Sequence, residues 1–149
     1  MDPNLNDIIF TNKKYKFNFR SAGLLESHHR YLVHVTQDSA AHFTFIGGKV
    51  KFDESSKDAI LREFWEELHI HVQIDRLLFV IEHRMPNNFQ QVVLLYLVRT
   101  QDTIPKYTNK HHKLAWQSFT ELQHIDIQPN VFQGLKEIPK HTQYWQDIS

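Results

Sequence analysis

The chain has 149 residues, 41% of them hydrophobic and 13% aromatic, enough for one globular domain with its own core. Its 17 basic and 17 acidic residues cancel, so no global field draws it to nucleic acid or an anionic membrane, and any phosphate binding must be local. It contains no cysteine, which excludes disulfide frameworks, thiolate nucleophiles and cysteine zinc sites; with no apolar leader and no run near the roughly 20 residues of a membrane span, the expectation is a cytoplasmic protein.

Residues 1–15 carry little periodic signal and are read as a flexible lead or a short added strand. From 16 to 26 the pattern alternates and then runs apolar, predicting a strand that starts at an edge and enters the core, with Phe17 and Phe19 packed. Arg20 on this strand reads first as an exposed cation and second as a phosphate contact. The runs 31–36 and 42–46 are rich in β-branched and aromatic residues and predict two more strands. The second delivers the chain into Gly47 and Gly48, where the missing side chains allow a tight turn and close approach to a ligand.

Residues 55–68 lack Gly and Pro and are rich in Ala, Leu, Glu and Arg, which predicts a helix. Ser55 with Asp58 three residues on fits a capping box at its start. At about 100° per residue, Ile60, Leu61, Phe64, Trp65 and Leu68 share an apolar sector, and Arg62, Glu63, Glu66 and Glu67 the opposite one. The glutamates stand about 5–6 Å apart at Cβ, where each like-charge pair costs roughly 0.2–0.5 kcal/mol, and they also oppose the helix dipole. Two readings are open: a solvated acidic face, or a ligand set for a hard divalent cation, whose preferred protein donors are carboxylate oxygens.

Apolar runs at 77–81 and 91–100 flank the turn signal Met85-Pro86-Asn87-Asn88, predicting a hairpin whose second strand is central. Residues 102–113 are polar and broken by Pro105, hence a loop; its Lys106, Tyr107, Lys110 and Lys113 read as solvated side chains before they read as phosphate or base contacts. The stretch 114–129, LAWQSFTELQHIDIQP, resembles a recurrent C-terminal phrase of the Nudix family, which implies a Trp-bearing strand followed by a short helix and a proline. Residues 130–138, with Val131, Phe132, Leu135 and Ile138 on one side, predict a last helix that Gly134 weakens, and 139–149 form a tail without clear signal. The eleven histidines are scattered; none makes the paired helical spacing of a metalloprotease, and they are read as strand or surface residues.

The stretch 48–70 also resembles the Nudix box, G-x5-E-x7-R-E-U-x-E-E-x-G-U. Gly48, Glu54, Arg62, Glu63, Phe64, Glu66, Glu67 and Ile70 stand where the pattern wants them, and only His69 departs, in place of a glycine. So specific a match favours the ligand-set reading. Because His is among the residues enriched in left-handed conformation, His69 is expected to cap the helix at a cost of about 1 kcal/mol. Phe43 and Ile46 stand where relatives commonly carry Trp and Pro.

The resemblance implies a single domain over 1–149 with the Nudix-type α/β/α sandwich, a mixed β-sheet between helices. It implies a metal-dependent pyrophosphohydrolase that cleaves a nucleoside diphosphate linked to another moiety, of the nucleoside triphosphate, ADP-ribose or nucleotide-sugar class. A diphosphate is highly charged, so attack by water needs cations to neutralise it and a base to orient the nucleophile. In these terms the Gly47 carbonyl, Glu63, Glu66 and Glu67 hold Mg2+ or Mn2+, with Glu63 alternatively the base. Arg62 orients Glu54 or a box glutamate, and Glu54 and Gly48 support the ligands from behind. Relatives often carry an acid just before the last hairpin strand; this chain has Gln90 and Gln91 there, which leaves Glu82 and Asp102 as candidate replacements, although each reads first as a polar strand or turn residue. The expected partner is a small-molecule nucleotide, with neither membrane nor nucleic acid, and a homodimer is compatible. The alternative is a catalytically silent nucleotide-binding or regulatory module on the same fold.

Overall fold

The computed structural model describes residues 6–36 and 42–148; the first five residues of the lead and the last of the tail lie outside them. One long strand, β2 (Lys16–Ser27), is the hub on which the others are laid. Its first residues pair with β1 (Ile9–Thr11), so the lead contributes the short added strand. Its last residues pair antiparallel with β3 (Arg30–Val35), and its middle pairs antiparallel with β5 (Ile46–Lys49). Along nearly its whole length β2 runs parallel to β7 (Phe89–Arg99).

The expected strand at 42–46 divides at Phe45 into β4 (His42–Thr44), which stays on β3, and β5, which crosses to β2. That division curls the sheet and sets Gly47 and Gly48 against β2. The hairpin is as expected: β6 (Gln73–Met85) pairs antiparallel with β7 through a turn in which Asn87 and Asn88 both take positive φ, a conformation Asn tolerates. The Trp-bearing strand is β8 (Leu114–Ser118), followed by a short helix α2 (Phe119–Leu122) and by β9 (Asp126–Ile127).

The architecture is mixed α/β, a curled mixed sheet with helical segments on its two faces. Adjacent residues of one strand belong to different cores, as alternation demands. Leu24, Val33 and Leu97 pack with Leu122, Val131 and Phe132 on one side, while Leu25, Leu32 and Val98 pack with the helix α1 (Ser56–Leu68) on the other. Each large side chain that α1 buries stabilises the fold by about 1.5–3 kcal/mol. Those side chains are Ile60, Phe64 and Leu68, with Phe64 seated over Gly23, where any side chain on β2 would overlap its ring.

Four expectations need correction. Leu61 and Trp65, placed by periodicity in the apolar sector, are 42% and 46% exposed, because the sheet receives only the narrow Ile60–Phe64–Leu68 stripe. Phe17 and Phe19 are half-buried, whereas Asn18 between them is 3% exposed. Residues 131–138 form turns rather than a helix; Gly134 takes φ +80, and Val131 and Phe132 reach the core from the turn. The tail supplies a strand, β10 (Gln143–Asp147), parallel to β6. Among the described residues no helix is long and apolar enough to cross a membrane.

Candidate active site

The acidic face is rigid because α1 is tied at both ends. At its start Ser55 is the N-cap, its Oγ accepting from the Asp58 amide at 3.1 Å, the forward half of the expected capping box. The next residue roots the helix in the sheet: Ser21 Oγ of β2 donates to the Ser56 carbonyl at 2.8 Å, and Ser56 Oγ lies 2.6 Å from the Tyr96 hydroxyl of β7. At its end His69 takes φ 55, ψ 39, and its amide donates to the Trp65 carbonyl at 2.9 Å, the left-handed cap expected in place of glycine. The carbonyls a helix leaves unpaired in its last turn are taken by Asn109, whose side-chain amide donates to Glu66 O at 2.6 Å and whose backbone amide donates to Glu67 O at 2.8 Å. Nothing in the sequence singles out Asn109.

Arg62 organises the carboxylates. Its guanidinium grips Glu54 with a two-point fork, Nε to Oε2 at 3.1 Å and Nη2 to Oε1 at 2.8 Å. It also donates to Lys49 O at 3.1 Å, Glu63 Oε1 at 3.0 Å and Glu66 Oε2 at 3.3 Å. Burial works against the charge on Glu54, but the hydrogen bonds from Arg62 and from the Lys51 amide outweigh it and hold its carboxyl below the usual range. Gly48 gives Glu63 its place: a Cβ at position 48 would overlap the Glu63 carboxylate. Gly47 is pressed against the β2 backbone, where a Cβ would strike the Ser21 carbonyl.

The three box glutamates do not share one environment. Glu66 is half exposed on the outer side of Arg62. Glu63 is buried beneath Gly48, and burial raises its carboxyl although Arg62 pulls the other way. Glu67 faces a cavity of about 250 Å3 that Gly47 also lines; burial, and then the charge of Glu63, push it up to about 7 against Lys110 and Arg20. Among the described residues no three acidic or imidazole side chains converge on one point, since Arg62 draws Glu63 and Glu66 to itself.

Arg20 and Lys110 make part of the cavity's lining basic. Arg20 is no exposed cation: it points to the box, burial lowers its pKa, and Glu63, Glu67 and Asp7 oppose that. The strand alternation that puts Arg20 on the Asn18 and Ala22 face is the signal that could have found it. His34 lines the same cavity, with Nδ1 2.9 Å from Thr44 Oγ1. Neither expected replacement acid is brought to the site, for Glu82 accepts from the Tyr144 hydroxyl at 2.9 Å and Asp102 from the His71 amide at 2.7 Å.

The NUDIX domain family model matches residues 16–137. The chain belongs to the NUDIX family. It is accordingly a hydrolase acting on pyrophosphate bonds, in a family that generally uses divalent metal ions and acts on small-molecule nucleotides. No curated protein sequence matches it significantly. Among solved structures it is similar to the E. coli ORF135 protein, at 24% identity and TM-score 0.61, over 81% of this chain and 87% of that one. It is similar to a MutT NUDIX hydrolase from Burkholderia pseudomallei, at 24% identity and TM-score 0.61, over 70% and 85% of the two chains. An ADP-ribose pyrophosphatase from Streptococcus suis has 16% identity and TM-score 0.61, over 87% and 98%. At these identities the likeness is one of fold.

Proposed function

We propose that this NUDIX protein is a divalent-metal-dependent pyrophosphohydrolase that cleaves a nucleoside diphosphate linked to another moiety. The observation that carries the reading is Glu67, a carboxylate that lines one cavity together with the cations Arg20 and Lys110. The donor set fits a hard dication, because it is all oxygen and because burial, ahead of any neighbouring charge, makes the ionised forms of Glu63 and Glu67 costly until a cation meets them. Glu66, Glu67 and the Gly47 carbonyl would hold Mg2+ or Mn2+, and Glu63 would ligate a further ion or accept the proton of the attacking water. Such an ion, when bound, neutralises phosphate charge and activates water.

The chain's own groups do the rest. Arg62 is a positioning residue: locked to Glu54, it fixes the direction in which Glu63 and Glu66 present their oxygens. Arg20 and Lys110 line the same cavity as Glu67, where they would bind phosphate oxygens and align the anhydride with that carboxylate.

The test is release of monophosphate or inorganic phosphate from a nucleotide panel with Mg2+ or Mn2+. Glu67→Gln keeps shape and removes charge, and is expected to lower kcat by at least about 100-fold. No turnover of any member would sink the reading. The runner-up, a silent binding module, has one observation in its favour, the capture of Glu63 and Glu66 by Arg62. It requires nucleotide-dependent stabilisation without product.

A further inference from the structure

A second, larger cavity of about 440 Å3 lies beside the first and shares Arg20, Thr44, Phe45 and Gly47 with it. A nucleotide with its phosphates at Glu67 and Arg20 would find this cavity adjoining them through Arg20. The cavity's floor is the sheet itself: Asn18 and Arg20 from β2, Gln91 and Val93 from β7. Asn18 and Gln91 are partners in the parallel register, so two carboxamides stand side by side in the middle of that floor. Phe45, Phe89, Ile81 and Met85 supply apolar walls.

Asn18 is 3% exposed, and its side-chain oxygen has no hydrogen-bond partner among the described residues. An orphaned buried acceptor costs about 1–3 kcal/mol and calls for a reason. Packing supplies none, since an apolar side chain at position 18 would carry no such cost. The neighbouring Gln91 occupies the place where an acid would be expected from the resemblance to other box-bearing chains. An acid there would add a charge; the amide adds a neutral pair of donor and acceptor.

We infer that this cavity holds the substrate's nucleobase and that the Asn18–Gln91 pair selects bases bearing an exocyclic amino group, which makes Asn18 a specificity-determining residue. Carboxamides read such an edge well, as the pairing of Asn or Gln with the amino group and ring nitrogen of adenine illustrates. An amine brings N–H to the orphaned oxygen. A base with an oxo group in place of that amine, as in ITP against ATP or UTP against CTP, brings a second acceptor to the orphaned oxygen and leaves both unsatisfied. The apolar walls favour a flat aromatic ring, and Arg20, at the junction of the cavities, would meet the phosphate nearest the ribose. The inference rests on the pyrophosphohydrolase reading.

The experiment compares kcat/KM for matched pairs, ATP against ITP and CTP against UTP, in the wild type and in Asn18→Leu and Gln91→Leu. The wild type is expected to favour the amino member about 10- to 100-fold, and Asn18→Leu to bring the ratio within about threefold of unity, with a smaller change for Gln91→Leu. A wild-type ratio near one, or a ratio unchanged in both variants, overturns the inference. Gln91 is half-buried, so its variant keeps the test alive if Asn18→Leu does not fold. Calorimetric binding of the non-hydrolysable α,β-methylene analogues of ATP and ITP reads the same ratio without turnover. Hydrolysis without base preference defeats this inference alone. Absence of hydrolysis defeats the reading beneath it, and the analogue ratio still judges the base pocket.

Discussion

At the scale of single residues, Arg62 shows how one side chain decides what several acids can do. Five hydrogen bonds leave its guanidinium, and two of them form the fork on Glu54. Lysine keeps the charge but has no fork. Arg62→Lys is therefore expected to lower kcat by about 10- to 100-fold, as loss of an orienting partner does in metal sites. It should also lower stability by about 1–3 kcal/mol, since Glu54 is left partly buried with its bonds unmade; steady-state kinetics and urea unfolding check the two effects. This residue is legible in the sequence because its partners lie on its own helix or just before it, where spacing fixes geometry. So is His69, whose left-handed cap follows from helix termination alone. Asn18 and Arg20 are not legible in that way, because what matters is which strands flank β2, and those are distant in sequence.

At the scale of elements, α1 is a helix whose two ends are held by parts of the chain far from it. The loop after β7 sends Asn109 to the last-turn carbonyls of Glu66 and Glu67, and the same loop carries Lys110 into the cavity. Removing the side chain with Asn109→Ala is expected to cost about 1 kcal/mol of stability and to speed hydrogen exchange selectively in the last turn of α1. Equal exchange throughout the helix before and after the change would show that the clamp is without effect. Element type follows local pattern where the pattern is strong: the capped α1, the Asn-Asn hairpin turn, and the Ser118–Glu121 capping box that starts α2. It fails at 130–138, where spacing suits a helix but Gly134 and burial of Val131 and Phe132 favour turns. It fails too at β10, a short polar strand that exists only because β6 offers it backbone partners.

At the scale of the molecule, the burial of an acid that lines the cavity couples ion binding to pH. Burial and the charge of Glu63 push Glu67 up to about 7, above its value in an unfolded chain. A group shifted in that direction contributes stability that is full at low pH and is lost as pH rises through about 7. A dication needs the ionised carboxylate, so its contribution grows over the same interval. At a hundredfold excess over Kd, Mg2+ is expected to add about 2.7 kcal/mol, read as a rise in Tm that is larger at pH 8 than at pH 6. An equal rise at both values, or none, contradicts the assignment of Glu67 to the ion.

The strand contributed by the tail has a consequence for how the protein behaves in a crowded solution. β10 lies along the outer side of β6 and covers the backbone of Phe79–His83. β6 is long and largely apolar where it is paired, the kind of edge that recruits strands from other molecules when left bare. Truncation after Lys140 is expected to turn a dispersed hydrolase into one that self-associates, visible as growth in light scattering with the active-site helix still formed. β10 thus puts a strand of five residues, most of them exposed, at the border of the sheet in place of the longer β6, and a short edge gives a foreign strand less backbone to pair with.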